Sequence, residues 1–192
     1  MCTCKLPGVT VAVSNRHLSR LPYLKQIERI CSLHPQMLIL REKDLSEEEY
    51  RALALNVLAI CRRYEVPCIL HTFTETARFL ETGSIHLPLP LLRVQAENLT
   101  DFPVIGTSVH SVEEALEAQN LGATYITAGH IYVTDCKKGL APRGLSFLKQ
   151  VCNAVSIPVY AIGGIGINET QFHEITSCGA SGGCIMSGLM QY

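Results

Sequence analysis

Ala123-Thr124-Tyr125-Ile126-Thr127-Ala128 runs straight into Gly129-His130-Ile131-Tyr132-Val133-Thr134-Asp135-Cys136-Lys137-Lys138-Gly139. The first six residues are uncharged and rich in β-branched and aromatic types, and they read as a short buried strand. From His130 to Lys138 the chain then packs an imidazole, hydroxyls, a carboxylate, a thiol and two ammonium groups. A bare connector seldom needs that chemistry. In a (β/α) barrel, the loops that leave the C-terminal ends of the strands carry the reactive groups. A strand followed by such a loop therefore points to a barrel.

The rest of the chain repeats the same unit. Apolar runs that read as strands stand at 8–14, 37–40, 67–71, 83–87, 103–108, 157–162 and 181–186. Helical spacing fills the gaps, as in Leu21, Leu24, Ile27, Ile30 and Cys31. Ser46 with Glu49, and Ser111 with Glu114, have the three-residue separation of a capping box. Asn168 can cap the helix that follows it. Pro88 and Pro90 should stunt the fourth helix. Gly144 to Val155 reads as the sixth helix, and Ser187-Gly188 opens a final turn. Eight strand–helix units at about 24 residues each predict an α/β fold, a single-domain (β/α)8 TIM barrel spanning 1–192. Near-continuous apolar strands fit a parallel sheet buried on both faces. An open doubly wound sheet is the alternative, which strand count alone leaves open.

Composition narrows the function classes. Of 192 residues, 47% are hydrophobic and 17% charged, which suits a well-buried globular enzyme rather than a disordered chain. A net charge of -1 offers no electrostatic footprint for nucleic acid. No apolar run reaches the roughly 18 residues of a membrane span. The N-terminus lacks a charged-then-apolar export pattern, so a cytoplasmic protein is expected. The nine cysteines read as reduced, buried thiols. Cys2-Thr3-Cys4 is a close pair but lacks the second pair that structural zinc needs.

A barrel would bring the strand C-termini to one rim. Gly163-Gly164 after strand seven and Ser187-Gly188 after strand eight are suited to hold a phosphate on backbone N–H groups. Tight turns without a ligand are the other reading. Arg41-Glu42-Lys43 ends strand two. Alternation along the backbone places Arg41 and Lys43 on one side and Glu42 on the other. The two cations can hold a carboxylate or phosphate, or form a solvated charged turn. His130 is the candidate acid/base, because an imidazole takes and returns a proton near neutrality. His71, His86 and His110 also fall at strand ends and compete with it. Cys136 is a conceivable nucleophile without an identifiable base. A metal site from the four histidines lacks a paired motif.

Several spaced segments resemble one known family: Leu40-Arg41-Glu42-Lys43, Ile105 to Ser111, Tyr125 to Lys137, and Ile157 to Ile165. In this order they are similar to the thiamine-phosphate synthase superfamily, from about Val9 to Gly188. A synthase typically has an Asn-Asp pair after strand three, where this chain has His71-Thr72-Phe73. It has an acidic residue after strand four, where this chain has His86-Leu87-Pro88-Leu89-Pro90-Leu91 without a carboxylate. In the family those acids hold magnesium pyrophosphate, and hard cations need oxygen ligands. The segment Gly129 to Leu140, with His130 where synthases tend to have proline, resembles the thiazole tautomerase (TenI) branch.

That resemblance implies an isomerase of thiamin biosynthesis. It would convert a carboxythiazole phosphate with an exocyclic double bond into its aromatic tautomer, with His130 moving the proton. Substrate contacts are expected from Arg41, Lys43, Ser108, Thr134, Lys137, Gly163, Gly164, Ser187 and Gly188. No metal, nucleotide or redox cofactor is required. The expected partner is a phosphorylated thiazole, not nucleic acid or membrane, and a homodimer stays open. The rival expectations are a magnesium-dependent thiamine-phosphate synthase and a non-catalytic barrel that binds a phosphorylated ligand.

Overall fold

A computed structural model describes residues 5–134 and 139–192. Among these, eight parallel strands close into a barrel in sequence order. They are β1 (Thr10–Val13), β2 (Met37–Leu40), β3 (Cys68–His71), β4 (Ser84–Pro88), β5 (Val104–Val109), β6 (Tyr125–Gly129), β7 (Val159–Ile162) and β8 (Gly182–Ile185). Closure comes from β1 pairing with β8, Val11 opposite Cys184. The expected (β/α)8 barrel is therefore the observed fold, and the open sheet is excluded. No described helix is long and apolar enough to cross a membrane.

The intervening helices are α1 (Tyr23–Cys31), α2 (Glu47–Arg63), α3 (Thr74–Phe79), α4 (Leu89–Gln95), α5 (Val112–Asn120), α6 (Gly144–Ala154), α7 (Glu169–Ser177) and α8 (Ser187–Met190). Local chemistry sets their starts. Ser46 and Glu49 form the full reciprocal capping box on α2. Ser111 and Asn168 cap α5 and α7 through their side-chain oxygens. Pro90 sits in the first turn of α4, where its missing N–H costs nothing, and that helix is short.

Period-two alternation divides each strand between two cores. Outward residues such as Leu38, Leu40, Leu70, Ile85 and Ile126 meet the helices in one continuous cluster. Inward residues Val11, Val13, Met37, Ile39, Ile69, Tyr125 and Cys184 fill the barrel itself. Four rings cross that interior in sequence. His71 lies 5.4 Å from His86, His86 lies 5.6 Å from Tyr125, and Tyr125 lies 5.8 Å from Tyr160. Of the cysteines, Cys31, Cys61 and Cys184 are buried, Cys68, Cys152 and Cys178 are half-buried, and all six are free thiols. Cys2, Cys4 and Cys136 lie outside the described residues.

Candidate active site

A cavity of about 440 Å³ opens at the C-terminal rim of the barrel. Arg41 and Lys43 reach it from the end of β2, Ser108 from β5, and His130 and Thr134 from the segment after β6. Gly163 and Gly164 after β7, and Ser187 at the start of α8, close the circuit. Eight of the expected site residues thus share one cavity. Gly188 is not among the cavity-lining residues. Lys137, with Asp135, Cys136 and Lys138, lies outside the described residues. Sequence reasoning did not pick out Arg93, Glu114 and Thr127, which also line the cavity. Thr127 could have been found, since it alternates with Tyr125 and Gly129 on the inward face of β6.

The Arg41 side is built from β1 and α1. Glu42 is buried and is not among the cavity-lining residues. Its carboxylate accepts from Ser14 Oγ at 2.7 Å, from the Arg16 N–H at 3.0 and 3.1 Å, and from Tyr23 OH at 3.0 Å. Ser14 Oγ in turn accepts from the Arg41 N–H at 2.8 Å. Anchoring Glu42 on one side turns Arg41 and Lys43 to the other, as alternation predicts. Tyr50 on α2 adds a second tie. Its hydroxyl donates to Leu40 C=O at 2.6 Å and accepts from the His71 N–H at 2.8 Å. The ends of β2 and β3 are thereby held together.

The opposite wall is a clamp between two loops. Gly163 and Gly164 have φ of +98° and +71°, a left-handed backbone that glycine adopts without strain. A Cβ on Gly163 would stand 2.3 Å from His130 Cβ, and one on Gly164 would stand 2.4 Å from Val133 C=O. The N–H groups of Ile131 and Tyr132 donate to the carbonyls of Ile162 and Gly163, each at 2.9 Å. Among the described residues, the N–H groups of Gly163 and Gly164 donate to no backbone carbonyl. Two successive amides of this kind suit an anion.

The floor is polar and uncharged. Burial pushes the His71 imidazole down to about 2, helped by His86 and by Arg41 and Lys43. Burial and the same two cations push His86 down to about 3. Both rings are therefore neutral at working pH. His86 uses both nitrogens within the protein, and His71 Nδ1 meets Thr72 Oγ1 at 2.5 Å. At the rim, Arg93 is engaged by Glu117 at 2.6 and 2.7 Å. Glu114 accepts from the His110 N–H at 2.6 Å.

These donors do not fit a hard divalent cation. Among the described residues, no three His, Cys, Asp or Glu side chains form a cluster able to hold a metal ion. The cavity is instead suited to anions, with cations on one side and glycine amides on the other.

His130 is only 6% exposed. Its Nε2 faces the Leu140 carbonyl at 3.4 Å, and its Nδ1 is buried without a partner. The ring thus lies beneath the segment that enters α6, whose Arg143 N–H donates to the His130 carbonyl.

The family model described as thiamine monophosphate synthase matches residues 10–189. The thiamine-phosphate synthase of Clostridium acetobutylicum is 34% identical over 169 residues, covering 86% of this chain and 79% of that protein. That of Fusobacterium nucleatum is 34% identical over 171 residues, covering 88% and 82%. The solved thiamine phosphate pyrophosphorylase of Pyrococcus furiosus superposes with a TM-score of 0.81 at 25% identity, covering 100% of this chain and 91% of that one. These findings correct the expectation of a thiazole tautomerase, and with it the isomerase assignment. The relatives carry the synthase name.

Proposed function

Because the chain belongs to the thiamine monophosphate synthase (TMP-TENI) family, we propose that it joins a pyrimidine carrying a methylene diphosphate to a phosphorylated thiazole. The thiazole nitrogen gives its lone pair to the methylene carbon. The carbon–oxygen bond to the diphosphate breaks, and its electron pair leaves with the diphosphate. The products are thiamine phosphate and free diphosphate.

The observation that supports this reading is that Arg41 and Lys43 line the same cavity as Gly163 and Gly164, whose N–H groups donate to no described backbone carbonyl. Gly163, Gly164 and Ser187 would hold the thiazole phosphate through amide N–H groups and a hydroxyl. Arg41 and Lys43, across the cavity, would receive the charge that grows on the departing diphosphate. His71 and His86, held neutral, add no charge of their own to that wall. Magnesium has no fitting set of ligands among the described residues, so no step is routed through it.

The test is direct incubation of the protein with both substrates, with and without magnesium. Thiamine phosphate and diphosphate should appear in equal amounts. Arg41→Ala should lower kcat by roughly 10²-fold, since it removes a contact that strengthens as charge develops. No coupling in either arm, with phosphate binding retained, would refute the synthase reading and favour a barrel that only binds a phosphorylated ligand.

A further inference from the structure

Beneath the cavity lies a buried chain of polar groups that the coupling chemistry leaves unexplained. Tyr125 Oη stands 3.0 Å from His86 Nδ1. His86 Nε2 stands 2.9 Å from Ser108 Oγ. Thr127 Oγ1 donates to the same Ser108 oxygen at 2.9 Å. Register explains the meeting. Ser108 on β5 faces Thr127 on β6, and Gly106, two residues earlier, faces Tyr125. A Cβ on Gly106 would fall 2.1 Å from Tyr125 Cζ. Only a glycine there lets the phenol lie across β5 and reach β4.

Counting protons decides the direction of the two histidine bonds, and the third runs from Thr127 to Ser108. The four groups carry four protons when the imidazole is neutral, and three contacts use three of them. Tyr125 is 4% exposed, and His86 Nδ1 is its hydrogen-bond partner. A proton on Nδ1 would leave the phenol hydrogen buried with nothing to accept it, which native interiors avoid. The phenol therefore donates to Nδ1, and the imidazole proton sits on Nε2. That proton points at Ser108 Oγ, and Thr127 fills the second acceptor position of the same oxygen. One proton remains, on Ser108 itself. Tyr125 and His86 are buried beneath the cavity, whereas the half-buried Ser108 lines it together with the buried Thr127.

We propose that Tyr125 and His86 are positioning residues that lock Ser108 as an obligate hydrogen-bond donor to an anionic oxygen of the bound ligand. The acceptor is anionic because Arg41 and Lys43 line the same cavity and their charge is felt at His86. On the reading that this protein handles a diphosphate, that oxygen belongs to the diphosphate. A serine free to rotate could accept as easily as donate. A locked one discriminates against any ligand that presents an N–H at this point.

The test has two parts, neither of which needs turnover. In protein labelled with ¹⁵N-histidine, the His86 signals, assigned by their loss in His86→Gln, should show a protonated Nε2 and an unprotonated Nδ1. A protonated Nδ1 overturns the proposal. In calorimetric titration with inorganic pyrophosphate, Ser108→Ala should weaken binding by roughly 10- to 100-fold, the range for a hydrogen bond to a charged acceptor. Tyr125→Phe should weaken it in the same direction and mix the His86 tautomers. Wild-type affinity in Ser108→Ala overturns the donor assignment. Wild-type affinity in a folded Tyr125→Phe overturns the positioning role, and failure of the wild type to bind pyrophosphate overturns the anionic acceptor. Should Tyr125→Phe fail to fold, the wild-type tautomer still decides. A protein that passes these tests yet couples no substrates would sink only the synthase reading.

Discussion

Gly106→Ala should be among the most damaging single-methyl additions this barrel can receive. The new carbon would stand 2.1 Å from Tyr125 Cζ, 2.3 Å from its hydroxyl and 2.5 Å from Cε1. Carbon atoms pack at about 3.5–4.0 Å, so the ring must move by more than an ångström. It has nowhere to go, with His86 at 5.6 Å on one side and Tyr160 at 5.8 Å on the other. Overpacking of this kind costs about 1–3 kcal/mol. Displacing the phenol also strands His86 Nδ1 and the phenol hydrogen, for about 1–3 kcal/mol more. A total of roughly 2–6 kcal/mol is a large part of the 5–15 kcal/mol typical of a folded domain. At this chain length it corresponds to a fall in Tm of roughly 5–20 °C. Thermal unfolding followed by circular dichroism measures it. Tyr125→Leu removes the atoms that clash, so in that background the same Gly106→Ala change should cost under about 1 kcal/mol. A Gly106→Ala protein as stable as wild type, or an undiminished cost in the Tyr125→Leu background, would refute the reasoning.

Three further outcomes follow from the site. Gly163→Ala puts a methyl 2.3 Å from His130 Cβ at a φ of +98°, so it should weaken phosphate binding and lower stability by about 1–3 kcal/mol, read by titration and melting. His71 and His86 have folded-state values of about 2 and 3, below the ordinary value near 6.5. The unfolded chain therefore binds more protons below that pH. Stability should be full above about pH 7 and fall by about 1 kcal/mol per pH unit for each ring as the pH drops towards 3. His71→Asn should give a visibly shallower acid slope in denaturant titrations at pH 4–6. Glu42→Ala strands Ser14, the Arg16 N–H and Tyr23 OH, and should cost about 3 kcal/mol while weakening the binding of inorganic pyrophosphate, read by titration, through a loosened Arg41.

Much of this molecule is local and was readable as such. The strands announce themselves by apolar runs, and the α2 capping box joins Ser46 to Glu49 three residues on. Strand alternation sets Arg41 and Lys43 opposite Glu42, and both cations line the cavity while Glu42 does not. Gly163-Gly164 after β7 and Ser187-Gly188 at α8 reach the expected rim, where Gly163, Gly164 and Ser187 line the cavity and Gly188 does not. His130 lines the cavity as its place after β6 suggests, but the tautomerase reading attached to it is overturned by the synthase relatives. A polar loop does not encode which way a ring turns, and here the Nδ1 of His130 is buried without a partner.

Sequence alone determined the barrel and the rim, because period-two strands, helix caps and glycine turns are decided by residues within a few positions of one another. Tertiary structure alone decided which donors face the cavity. Tyr125 meets His86 across 39 positions of chain, through a gap that exists only because Gly106 stands opposite. Such a contact depends on barrel closure and register, and on proton counts among neighbours that no local pattern encodes.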